Sequence, residues 1–137
     1  LQTNKVKFAL KIFDYIHSLD SEKLANKIAD EQQKHKKKPK IFIQVNMGNE
    51  DQKSGVDKKN LSDFYKFCKN LNLDINGTMC IPPNDGYTKK YCSEMSDINK
   101  ELNFKELSMG MSGDYLEAIR YNATYVRVGS KIFGSRD

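Results

Sequence analysis

Apolar residues recur along the chain at two different spacings, and the alternation predicts its elements. Phe8 to Asp14 has a helical pattern, and Tyr15 to Leu19 is a short extended run. Asp20 or Ser21 can cap a following helix, with Glu22 in its first turn. The stripe of Leu24, Ala25, Ile28 and Ala29 marks the buried face of that helix. Lys40 to Asn46 is an apolar strand of the buried kind, and Gly48 to Gly55 a polar loop. Leu61, Phe64, Tyr65, Cys68 and Leu71 return to helical spacing, with Asn60 as the expected cap. Ile75 to Ile81 predicts a strand, and the loop Pro82 to Gly86 follows. Tyr91, Met95, Ile98 and Leu102 mark a third helix. Phe104 to Met109 is a strand, Ser112 caps a short helix through Arg120, and Tyr125 to Val128 is the last strand. Strands separated by helices of about 10–15 residues predict βαβ units and a parallel sheet.

Composition narrows the class. The chain has 137 residues, 38% hydrophobic and 30% charged, with 8 Gly and 3 Pro. This suits one globular domain and excludes collagen-like, disulfide-dense and disordered classes. No stretch approaches the roughly 18 apolar residues of a membrane helix. The formal net charge is +5, and the basic excess concentrates in Lys34 to Lys40. A helix end with cations on its dipole, stopped by Pro39, accounts for that run; no interleaved aromatics support base stacking. Cys68, Cys80 and Cys92 are far apart, with no C-x-x-C pair and no nearby His cluster, so free thiols are expected and no metal site. His17 and His35 stand alone and suggest no catalysis.

In parallel α/β folds, ligands gather at the carboxyl ends of strands. Two such ends are unusual here. Ser108-Met109-Gly110-Met111-Ser112 runs straight into a helix, combining small residues, hydroxyls and free N–H groups. Arg127-Val128-Gly129-Ser130 places Arg127 and Gly129 on one face of a strand with Ser130 at its end. Together they form a candidate phosphate cup, of the kind built by the last two strand ends of a (β/α)8 barrel. No G-x-G-x-x-G follows a strand, and there is neither a P-loop nor a Ser-His-Asp set.

Taken in order, several short motifs are specific. They are Leu1-Gln2-Thr3-Asn4-Lys5, Ile16 to Ser21, Ile43 to Asn46, Lys53 to Val56, Gly77-Thr78-Met79 with Ile81-Pro82-Pro83, Leu107 to Ser112, and Arg127 to Gly134 with Arg136-Asp137. The chain resembles the pyridoxal phosphate homeostasis protein family over essentially its whole length. The resemblance implies an α/β fold: the C-terminal part of a (β/α)8 TIM barrel of the alanine racemase N-terminal type, incomplete in this chain. Residues 1–137 would be a partial pyridoxal-phosphate-binding domain lacking its N-terminal strands. The implied phosphate ligands are Ser108 and the backbone at Gly129 and Ser130, with Gly110 and Ser112 completing the cup. Arg127 matches the family arginine that faces the pyridine nitrogen. Asn46 and Met79 are candidates to line the ring.

Three departures stand out: Ser130 where Thr is usual, Gly113 where an acidic residue is common, and Thr78 where Leu is usual. Family members also hold the cofactor as a Schiff base to a Lys near the end of the first strand. That region is expected upstream of Leu1, none of the 20 Lys here sits in the matching motif, and no catalytic residue is assigned. The implied function is binding of pyridoxal 5′-phosphate in cytoplasmic vitamin B6 and amino-acid homeostasis, without established turnover. Pyridoxal-phosphate-dependent client enzymes are the expected partners, with no nucleic acid and no membrane. A monomer is expected at full length, with this chain open to self-association. The alternative is a fragment of a pyridoxal-phosphate-dependent racemase or decarboxylase. A basic interaction module built on Lys34–Lys40 is a third reading.

Overall fold

A computed structural model describes residues 1–48 and 54–135. Lys53, most of the Gly48–Gly55 loop, and Arg136-Asp137 lie outside the described residues. After a 3-10 turn at Thr3–Lys5 come α1 (Val6–Ile12), β1 (Tyr15–Leu19), α2 (Glu22–His35) and β2 (Lys40–Asn46). They are followed by the two-residue β3 (Val56–Asp57), a 3-10 turn at Lys58–Asn60, α3 (Leu61–Asn70), β4 (Asp74–Met79) and α4 (Thr88–Glu101). The chain then forms β5 (Glu106–Met111), α5 (Tyr115–Arg120), β6 (Tyr125–Arg127) and α6 (Ser130–Phe133). All pairings are parallel, in the order β1-β2-β4-β5-β6, with β3 added beside β2. This is the expected parallel α/β arrangement, curled as an open half-barrel.

The expected stripes bury as the helical period requires. Leu24, Ala25 and Ile28 of α2 and Phe64 and Cys68 of α3 pack with Ile41, Ile43 and Val45 of β2. That layer lies between helices and the outer face of the sheet. The inner face carries aromatic rings. His17 stacks on Phe42 at 4.1 Å, and Tyr125 meets both edge-on at 5.2 and 5.3 Å. Tyr15 of β1 and Tyr125 of β6 lie 6.0 Å apart although three strands separate them in the sheet, so the curl is strong. Gly77 permits the close β4–β5 approach, because a Cβ there would fall on the Glu106 carbonyl oxygen.

The caps agree with expectation at α2 and differ from it at α3. Ser21, not Asp20, caps α2, accepting from the Leu24 N–H at 3.1 Å. Asn60 makes no side-chain cap on α3; Asp57 instead accepts from the Lys59 N–H one turn earlier. The Lys34–Lys40 run is a helix end, as its composition suggested. Lys34 and His35 reach Glu31 at 3.8 and 3.0 Å, Lys36 ends α2 in the left-handed region, and Lys37 pairs with Asp14 at 3.3 Å. The three cysteines are buried free thiols. Burial pushes Cys68 and Cys80 up to about 12 and Cys92 up to about 11. No described helix is long and apolar enough to cross a membrane, and no group of potential metal ligands occurs among the described residues.

Candidate functional site

The carboxyl ends of β5 and β6 border an open cleft of about 780 Å³, lined in part by Met111, Ser112, Gly113, Arg127, Gly129 and Ser130. Its floor is set by local chemistry. The Met111 N–H donates to Asp114 Oδ1 at 2.7 Å, which folds Met111 to Asp114 into a tight turn before α5. Ser112 therefore sits in that turn and does not cap α5, which begins at Tyr115. Its Oγ accepts instead from the N–H groups of Gly129 at 3.2 Å and Lys131 at 3.0 Å. The converging amides come from the start of α6, not of α5 as the sequence suggested. Gly129 caps α6 and Ser130 is its first residue, so neither belongs to β6. A Cβ added at Gly129 would meet nothing within 4 Å, so the backbone there is open to a ligand.

An oxygen receiving two N–H bonds retains its own O–H to donate. Ser112, held by the Gly129 and Lys131 amides with its O–H left over, is thus a positioned donor suited to an anion. Arg127 lies deeper. Its Nη2 donates to the Cys80 carbonyl at 2.7 Å, and Nη1 approaches Met79 Sδ at 3.6 Å. Its Nε is buried without a hydrogen-bond partner. Such a donor normally costs about 1–3 kcal/mol. Burial lowers the Arg127 pKa, but guanidinium starts so high that it stays charged. A ring-nitrogen acceptor is the kind of group that would satisfy it.

Two of the six expected ligands lie elsewhere. Ser108 is fully buried within β5, and its Oγ shares a hydrogen bond with His17 Nδ1 at 3.0 Å. It lies inside β5, whereas Ser112 lies in the turn beyond the strand's end. Gly110 has φ +103°, and a Cβ on it would lie 2.7 Å from Ala118 Cβ, so it serves close packing of α5. Of the two ring-lining candidates, Met79 touches Arg127, and Asn46 Oδ1 accepts from the Gly48 N–H at 3.2 Å.

His17, unassigned from the sequence, joins Ser108 in the interior, where its ring stacks on Phe42. Burial and then the Arg127 charge hold its pKa below the ordinary 6.5, so it is neutral at pH 7. The signal was present: on an alternating strand His17 shares a face with Tyr15, opposite the core-facing Ile16.

The family model described as the alanine racemase N-terminal domain matches residues 2–137. The chain belongs to that family. Within it, the chain belongs with the pyridoxal phosphate homeostasis proteins. It is 37% identical to the one from Aquifex aeolicus over 146 residues, covering 99% of this chain and 64% of that relative. It is 36% identical to the one from Synechocystis, covering 99% and 67%. Among solved structures, PipY of Synechococcus elongatus with pyridoxal phosphate bound superposes with a TM-score of 0.89 at 32% identity, covering 98% of this chain and 67% of PipY. The chain thus spans about two thirds of its family relatives. An alanine racemase from Clostridium difficile superposes with a TM-score of 0.75 at 16% identity, a likeness of fold alone.

Proposed function

We propose that residues 1–137 form a partial barrel domain that binds pyridoxal 5′-phosphate and serves vitamin B6 and amino-acid homeostasis in the cytoplasm. Binding and delivery to cofactor-dependent enzymes, not turnover, is the activity. Neither nucleic acid nor membrane is a partner. The relatives' names and the cofactor bound to PipY support this reading. The observation that carries it is the buried, unpartnered Nε of Arg127 next to a cleft in which two backbone amides hold Ser112 with its own hydroxyl proton left to donate.

Each residue then has a task. Ser112, oriented by the Gly129 and Lys131 N–H groups, offers its hydroxyl proton to the phosphate, and the start of α6 offers the Ser130 N–H, with no Cβ at Gly129 to hold the ligand off. Arg127 is assigned to the ring nitrogen. A permanent cation there opposes protonation of that nitrogen. When bound, pyridoxal phosphate supplies an electrophilic aldehyde on an electron-accepting ring. With the nitrogen unprotonated the ring accepts electrons poorly, which suits carriage better than transformation of amino acids.

Titration of the 15N-labelled chain with pyridoxal phosphate tests this. The amides of Gly129, Ser130 and Lys131 should shift. Ser112→Ala and Arg127→Gln should each weaken binding by about tenfold, the worth of a hydrogen bond to a charged group. Ser108→Ala should leave affinity unchanged, because Ser108 lies outside the cleft. Absence of shifts at those amides, or wild-type affinity in both cleft variants, would reject the assignment.

A further inference from the structure

His17 stands on β1, an edge strand that pairs with β2, yet its Nδ1 meets Ser108 Oγ of β5 at 3.0 Å. These strands are not neighbours, so the contact crosses the interior of the half-barrel. Ser108 is in register with Met79 of β4 and with Tyr125 of β6. The His17 ring reaches that same level. It stacks on Phe42 of β2 at 4.1 Å and meets the Tyr125 ring edge-on at 5.2 Å. His17, Phe42, Ser108 and Tyr125 thus form one layer, as inward side chains of a curled parallel sheet do.

Arg127 borders this layer. It follows Tyr125 by two residues on β6, so both side chains face inward. Its guanidinium extends from β6 across β5 to the end of β4, where it meets the Cys80 carbonyl and Met79 Sδ. That path passes Ser108, the register partner of both Met79 and Tyr125. Burial, and then the Arg127 charge, lower the His17 pKa, in keeping with a guanidinium close to the ring. The Arg127 Nε is buried and without a partner. A buried donor stays unpartnered only where neither an acceptor nor water can reach it. The layer meets both conditions. His17 Nδ1 and Ser108 Oγ are paired with each other, and the rings of His17, Phe42 and Tyr125 pack around them.

We propose that His17 is a positioning residue for Arg127: its ring, set between Phe42 and Tyr125, closes the interior beneath the guanidinium and keeps Nε dry and free to bond a ligand. The inference rests on the assignment of Arg127 to the ligand in the function proposed above. An orphaned donor is unfavourable in the free chain, and that loss is recovered when an acceptor arrives. Water admitted from below would satisfy Nε beforehand, and the ligand would gain less. The ring carries this role and the Ser108 hydroxyl only orients it, so Ser108→Ala stays neutral for affinity.

Exchange of the Arg127 Nε–H with water tests this, read from its 15N side-chain signal in the chain without cofactor. Arg127→Gln identifies the signal, and Arg120, whose side chain is exposed, is the internal reference. The Arg127 proton should exchange about a hundredfold more slowly than that of Arg120. His17→Asn keeps a group able to bond Ser108 but has no ring. It should speed exchange at Arg127 about tenfold and weaken pyridoxal phosphate binding about tenfold. His17→Phe restores a ring and should match the wild type in both. Backbone amides of β5 and β6 should exchange alike in all three proteins, which a general loosening of the fold would not allow. Exchange at Arg127 as fast as at Arg120 in the wild type overturns the proposal, and that measurement needs no variant to fold. Unchanged exchange or wild-type affinity in His17→Asn overturns it too. If the wild-type chain shows slow exchange at Arg127 but no binding, the cofactor reading fails while the seal at His17 holds.

Discussion

His17 brings a titratable ring into an aromatic interior, where it stacks on Phe42 and shares a hydrogen bond with Ser108. Its folded pKa is held below 6.5 by burial and by Arg127. The unfolded chain therefore takes up a proton near pH 6.5 that the folded chain refuses. The stability this represents is complete above that pH and declines as pH falls below it. The melting temperature should be lower at about pH 5.5 than at about pH 7.5, and His17→Phe should flatten that slope even if it lowers both values. Equal slopes in the two proteins would show that another group titrates. Glu31 does not confuse the comparison. The Lys27 hydrogen bond pulls its carboxyl below the ordinary 4.5. Its contribution is present above 4.5 and lost only at lower pH.

Between elements, one buried polar chain ties β4, α4 and β5. The Thr78 hydroxyl donates to Asn99 Oδ1 at 2.6 Å, and Asn99 Nδ2 donates to the Glu106 carbonyl at 2.7 Å. Thr78 is fully buried and Asn99 nearly so. Thr78→Val keeps the shape and removes the donor, leaving Asn99 Oδ1 unpaired. It should cost about 1–3 kcal/mol in urea unfolding, with little change in cofactor affinity. A neutral effect would mean that water replaces the hydroxyl. This tie explains why Thr is accommodated where the family resemblance leads one to expect Leu. It also marks what pattern alone can convey. The periods of 2 and 3.6 revealed every strand longer than two residues and the helices from α1 to α5, because burying one face imposes them locally. Ser112 was different. Its sequence neighbours make it a helix cap, but its partners are amides 17 and 19 residues ahead, beyond the reach of a local signal. The short α6 and the two-residue β3 also have too few positions to display a period.

At the scale of the molecule, β1 pairs only with β2 and β6 only with β5 among the described residues, so the sheet has two open edges. The order of motifs pointed to the ends of β5 and β6, where the structure has a cleft lined by Ser112, Arg127, Gly129 and Ser130. It did not reveal that Ser108 meets His17 in the interior while Ser112 lines the cleft, because that depends on the path of the chain through a curved sheet. The open edges carry apolar surface. Phe8, Ile12 and Phe13 before β1 are 59%, 69% and 55% exposed, and Val126 of β6 is 37% exposed. An unpaired edge with free N–H and C=O groups beside such residues is a template for another chain. The chain by itself should therefore associate as its concentration rises, which sedimentation velocity would record as a growing average mass. Lysine on an edge discourages strand addition through charge and hydration. Phe13→Lys with Val126→Lys should restore a single monomeric boundary. Sedimentation as a monomer at every concentration would show that the curl joining Tyr15 to Tyr125 already shields both edges.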